Sequence, residues 1–217
     1  GIYGPASPFC IMATDTGCVN SPLMRSYSDF IIRGMALQRY TYPVQRKASK
    51  VVVINWMARR SSVKWPERSF CDDHYFKCTF FEHLKQRSLS RVVKNDDQVV
   101  AALRILAEEQ KVEGKSLFFM DADYNVLPFE MQMRYNLMTD VMIGPHGAGL
   151  THQMFLPDRA RLIELFIDGS SGNRHFHNMA RWRGRVGDMY QGVEMDNPVP
   201  IKKVEELVLG AVRKINV

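Results

Sequence analysis

Four short, almost wholly apolar runs recur along the chain, at residues 50–56, 117–120, 141–143 and 161–166, and stretches with helical spacing separate them. Lys50-Val51-Val52-Val53-Ile54-Asn55-Trp56 is the clearest of them. A β-branched run without polar alternation suits a strand covered on both faces, as in a parallel sheet, and not one with a wet side. Between the runs, Asn95 is placed as an N-cap. Asp96 and Asp97 follow it at the positive end of a helix that runs through Val99, Leu103, Ile105 and Leu106 toward Glu109. Residues 129–136, 150–155, 174–182 and 204–214 read as further helices, the second of them broken by Pro157. Leu23, Tyr27, Phe30, Ile31 and Met35 space out an earlier one. Strands and helices in alternation predict an α/β fold, an open parallel sheet with helices on both faces. Residues 1–45 read as a lead-in and linker helix. Residues 46–217 read as one Rossmann-like lobe, with an insertion at about 61–86 that carries a short helix near Tyr75 to Lys85.

Composition narrows the class of partner. The 217 residues can bury a core without disulfide staples. The net charge of +6 suits a polyanion, but the basic residues are scattered, with no run of five and no interleaved aromatics. Nucleic acid, acidic lipid and nucleotide phosphates all fit a basic balance, but with charges so scattered no nucleic-acid partner is expected. No stretch reaches the ~20 apolar residues that span a bilayer, and residues 1–8 show no targeting signal. Cys10, Cys18, Cys71 and Cys78 fit two disulfides or free thiols equally well, which leaves the compartment open. Cys71, His74, Cys78 and His83 are spaced off the pattern of structural zinc sites, and His175 and His177 would point to different faces of a helix, so no metal site is expected.

The chemistry concentrates in Gly144-Pro145-His146-Gly147-Ala148-Gly149-Leu150-Thr151, between a strand and a helix. Its three glycines let the backbone turn tightly and approach a ligand. The amides that open the next helix, with its dipole, make a seat for phosphate. His146 would add a donor or a positive charge, and Thr151 a hydroxyl. The competing reading is a tight turn with no ligand. The spacing is not that of a dinucleotide fingerprint, and neither a P-loop nor a nucleophile elbow occurs in the chain. Glu164 stands in the otherwise apolar run 161–166, where a carboxylate is costly to bury without partners. Those partners would be sugar or ribose hydroxyls or, on the structural alternative, a nearby Arg.

His146-Gly147-Ala148-Gly149-Leu150-Thr151-His152, Met154-Phe155-Leu156-Pro157-Asp158 and Ile163-Glu164-Leu165 together resemble the signature of glycosyltransferase family 61. Met179-Ala180-Arg181-Trp182-Arg183-Gly184 is similar to the family's Ala-Arg-x-Arg-Gly element. Thr16-Gly17-Cys18-Val19-Asn20 resembles its Gly-Cys element, and Arg91-Val92-Val93-Lys94-Asn95 its Arg-x-Ile-x-Asn segment. Asp97-Gln98-Val99 departs from the Glu-Leu pair usual there.

The resemblance implies the C-terminal, donor-binding lobe of a GT-B glycosyltransferase of inverting type that takes a UDP-sugar and needs no essential metal or other cofactor. It implies that His146 and the Gly147, Ala148 and Gly149 amides face the diphosphate, with Thr151 beside them. Arg91 would neutralise the phosphates, Glu164 would hold ribose or sugar hydroxyls, and Arg134 is a weaker candidate. The acceptor would be a protein or glycan hydroxyl, and the compartment the ER or Golgi lumen. The general base is not assigned. The alternative is a non-catalytic, glycosyltransferase-like subunit of a larger assembly, with residues 61–86 as a partner surface.

Overall fold

The computed structural model describes residues 18–37, 50–58, 60, 91–124, 126–169 and 171–216. Residues 61–86 and Cys10, Cys71, His74, Cys78 and His83 lie outside them. Among the described residues no helix is long and apolar enough to cross a membrane.

Six strands form one sheet: β1 (Val51–Met57), β2 (Lys111–Val112), β3 (Lys115–Ala122), β4 (Val141–Pro145), β5 (Arg161–Phe166) and β6 (Tyr190–Glu194). Their order is β2-β3-β1-β4-β5-β6. Every pairing is parallel except the short β2–β3 hairpin edge. The chain runs outward from β1 to β3, then returns to β4 on the other side of β1 and continues to β6. The strand order therefore reverses between β1 and β4, which makes the carboxyl ends of these two strands a topological switch point.

The sheet is covered on both faces, as the apolar runs require. Val52, Ile54, Trp56, Val141, Ile143, Ile163 and Leu165 face one core, closed by α2 (Asp96–Glu109) and α5 (Ile201–Arg213). Met57, Met142 and Leu162 face a second core. It is filled by α1 (Pro22–Gly34), a 3-10 helix (Ala148–Phe155) and α4 (His175–Trp182), with Met133 from α3 (Phe129–Met138). Gly144, His146 and Glu164 share the parity of Met142 and Leu162, so they lie on this second face.

Three local expectations gain detail. The helix expected after the glycine loop is present and is of 3-10 type. Glycines at 147 and 149 and Pro157 just downstream leave it no room for regular α turns. Asn95 stands at the N-cap of α2 as expected, but its side chain makes no capping hydrogen bond. Its side chain is taken by the backbone of Val199, as donor to the carbonyl (2.9 Å) and acceptor from the amide (2.8 Å). Asp96 is buried, accepting from Trp56 Nε1 (2.8 Å) and Arg60 Nε (2.9 Å), so it is more than a dipole charge.

Segments far apart in sequence meet around α1. The Asn20 and Ser21 amides bond the Arg181 and Trp182 carbonyls at 2.8 and 2.7 Å, and Asp158 takes both Arg25 (3.0 Å) and Arg183 (3.1 Å). Gly184 is left-handed at φ +78°, and a Cβ there would stand 3.2 Å from both Arg25 and Asn20.

Candidate donor site at the carboxyl edge of the sheet

The glycine loop crosses the switch point, and the end of β1 dictates two of its glycines. A Cβ on Gly144 would stand 2.9 Å from the Met57 carbonyl oxygen, and one on Gly149 would stand 2.7 Å from the Met57 sulfur. These glycines allow β4 and the following turn to press on β1. Gly147 has φ 165°, an extended conformation open to any residue. Ala148 is exposed and Gly149 half-buried. Both open the 3-10 helix, where amides have no intrahelical acceptor.

His146 leaves β4 with its amide bonded to the Leu165 carbonyl (2.8 Å), which fixes the loop to β5. Its ring stacks on Phe166 (centroids 5.3 Å, planes at 27°) and meets Phe176 edge-on at 5.2 Å. Nδ1 contacts Glu164 Oε1. The other carboxylate oxygen accepts the Tyr190 hydroxyl at 2.5 Å. Glu164 is wholly buried and His146 is 2% exposed, so the carboxylate is satisfied from within the protein and the imidazole is buried beside it. Burial, and then the negative charge of Glu164, raise the Tyr190 hydroxyl well above its ordinary value, which keeps it a donor.

Arg91 lies over the same end of the sheet, its Nε 2.6 Å from Asp168, two residues beyond β5. A cavity of about 400 Å3 opens beyond β5 and β6, lined by Phe166, Gly169, Glu194, Asp196, Pro200 and Lys203 among others. Phe166 thus borders both the cavity and His146. The structure therefore gathers the loop, His146, Glu164 and Arg91 at one edge. Arg134 is not among them: it forks onto Glu130 at 3.1 and 2.7 Å in an exposed pair on α3. Tyr190 and the cavity were not anticipated from sequence. Their strand, Tyr190-Gln191-Gly192-Val193-Glu194, is short, polar and at the sheet's edge.

A second polar chain runs beneath α3. Asn55 Nδ2 donates to the Tyr124 hydroxyl (3.0 Å), Tyr124 donates to Asn136 Oδ1 (2.6 Å), and Asn136 Nδ2 reaches His152 Nδ1 at 2.8 Å. The Tyr124 hydroxyl already accepts from Asn55, so its proton goes to Asn136. That order makes His152 Nδ1 an acceptor and puts the ring proton on Nε2. His152 therefore has no lone pair to offer a substrate hydroxyl in this state. Burial pushes its pKa down from 6.5 to about 4. Between these values the unfolded chain binds a proton that the folded chain refuses. Stability is thus expected to fall as pH drops from about 6.5 to about 4, by on the order of 3 kcal/mol. Urea melts across that range would show it, and His152→Gln would flatten the slope. An identical slope in the variant would remove His152 as the cause.

Among the described residues no group of three or more His, Cys, Asp or Glu is arranged to hold a metal ion. Cys18 is exposed and unbridged.

Comparison with known proteins places this geometry. The family model Glycosyltransferase 61 matches residues 35–163. The chain is 29% identical over 168 residues to an EGF domain-specific O-linked N-acetylglucosamine transferase of Drosophila melanogaster, across 77% of this chain and 24% of that protein. It is 39% identical over 95 residues to the protein of that name from Mus musculus, across 43% of this chain and 16% of the relative. The Gallus gallus protein is 38% identical over 95 residues, with the same coverage. The chain thus spans a quarter or less of the length of these relatives.

Proposed function

The chain belongs to glycosyltransferase family 61, and on that premise we propose that it binds the nucleotide diphosphate of a sugar donor at the carboxyl edge of β4 and β5. One observation carries the reading: the glycine loop and His146 follow β4, and Arg91 is held by Asp168 just after β5, all at the carboxyl end of the sheet where open α/β folds bind ligands. The Ala148 and Gly149 amides would meet the diphosphate, with His146 and the Thr151 hydroxyl beside them. Arg91 would exchange its Asp168 partner for a phosphate. These donors are fixed before the leaving group departs, so they stabilise the charge that develops on it without reorganisation. The cavity beyond Phe166 would take the nucleoside or sugar, with Glu194 and Asp196 as acceptors for hydroxyls. Glu164 has both oxygens on protein donors, so it would act by holding His146, with ribose contact the alternative.

The donor is proposed to be a UDP-sugar. The protein would transfer the sugar with inversion to a protein or glycan hydroxyl in the ER or Golgi lumen, in a GT-B architecture whose acceptor-side residues include the general base. What supports these finer points is family membership and the relatives' names, which specify O-linked N-acetylglucosamine transfer to EGF domains for those proteins. Thermal melts with a panel of nucleotide sugars, with and without EDTA, test the reading. UDP-sugars are expected to raise the melting temperature equally in both buffers. A shift by GDP-sugars in place of UDP-sugars would overturn the donor assignment, and no shift by any of them at millimolar concentration would overturn the donor site.

A further inference from the structure

We propose that Tyr190 is a positioning residue for the donor diphosphate, acting through Glu164 on His146. This deepens the donor-site reading above and rests on it. A buried Glu–His pair keeps one freedom. A carboxylate held at one oxygen by an imidazole can still rotate about its last bond, and the ring follows it. In this structure the second oxygen is held too, by the Tyr190 hydroxyl at 2.5 Å, and Glu164 is wholly buried. With both oxygens fixed, the plane of the carboxylate is fixed, and so is the direction of His146 Nδ1. Nε2 becomes the nitrogen left for a ligand.

A second observation supports the same device. Gly192 is the β6 residue in register with Glu164. A Cβ there would stand 2.9 Å from the Tyr190 hydroxyl and 2.8 Å from Phe166 Cε2. Phe166 is the ring on which His146 stacks. A side chain at residue 192 would therefore disturb both supports of His146, the hydrogen-bonded one and the stacked one. The backbone at 192 is strand and lies outside the left-handed region, so strain does not itself call for glycine. The space it leaves is the reason for glycine there.

The test is a double-mutant cycle read by calorimetry with UDP and, separately, uridine, on the protein, Tyr190→Phe, His146→Ala and the double variant. Tyr190→Phe keeps the ring that packs against His177 (centroids 5.1 Å) and removes only the hydroxyl. It is expected to weaken UDP about tenfold, the effect of one hydrogen bond to a charged group, and to leave uridine within about twofold. In the His146→Ala background it is expected to add nothing, because the residue it acts through is gone. Gly192→Ala, which also presses on Phe166 at the cavity wall, is expected to weaken UDP at least as much as Tyr190→Phe. Additive effects of the two substitutions, or equal losses for UDP and uridine, would overturn the positioning role. UDP binding by the unaltered protein with no change in Tyr190→Phe would overturn it while leaving the donor site standing. Failure of the unaltered protein to bind UDP would overturn the donor site and this role with it.

Discussion

Glu164→Ala is expected to abolish UDP binding and to lower the free energy of unfolding by about 3–5 kcal/mol. The carboxylate is wholly buried and accepts from two side chains, His146 and Tyr190. Removing it leaves both donors facing a cavity in a layer otherwise packed with Phe166 and Phe176. A buried polar group without its partner costs its full desolvation, which is why truncating one member of such a set costs more than the set contributes. Glu164→Gln keeps the volume and one acceptor oxygen, so it should recover packing but hold only one of the two donors. Urea melts read the stability, and UDP calorimetry the site. A Glu164→Ala protein as stable as its parent, or one that binds UDP with unchanged affinity, would show that the contacts to His146 and Tyr190 do not organise this edge.

Arg185→Ala is expected to cost a similar amount, about 3–5 kcal/mol, from a residue far from any proposed ligand contact. The guanidinium is 1% exposed. Its Nη2 donates to the Leu156 and Pro157 carbonyls, at 2.9 Å each, and its Nε to the Ala160 carbonyl at 3.2 Å. These three carbonyls belong to the turn between the 3-10 helix and β5, where Pro157 also accepts from the Ala160 amide at 2.9 Å. Alanine would take the side-chain donor from the buried Leu156 and Ala160 carbonyls and leave the volume of the side chain empty. Lysine, a point charge on a flexible stem, cannot reproduce the fork and should rescue only part of the loss. The effect should appear as a lowered urea midpoint. An Arg185→Ala protein within about 1 kcal/mol of the parent would mean that the turn finds other donors. Because this turn delivers the chain to β5, the variant should also weaken UDP binding by loosening Glu164.

The layered fold was legible because its strands are covered on both faces. Val52, Val53, Ile54 and Trp56 are all buried, and an uninterrupted apolar run reports that condition directly. The edge strand β6 was not legible for the opposite reason. Gln191, Gly192 and Glu194 are exposed, so the run carries no hydrophobic period. Tyr190 was missed along with it. Glu164 announced itself as a lone carboxylate among apolar residues, but its partners lie 18 and 26 residues away and could not be named from its neighbours. Sequence suggested hydroxyls or an Arg, and the fold supplies an imidazole and a phenol. Glycines 144 and 149 showed that the loop turns tightly, and only the packing of Met57 shows what presses on them. Arg91 and Asp168 are 77 residues apart in sequence and meet just beyond the carboxyl end of β5, a pairing that no local pattern announces. Arg134, nearer in sequence, stays in its surface pair.

The central claim is that the 144–149 loop and His146 form the seat of a nucleotide diphosphate. Calorimetric titration of the protein with UDP, beside His146→Ala, tests it most directly. Micromolar binding by the protein, weakened at least tenfold in the variant and insensitive to EDTA, is the predicted result. No heat of binding up to millimolar UDP, or equal affinity in the protein and in His146→Ala, would contradict it.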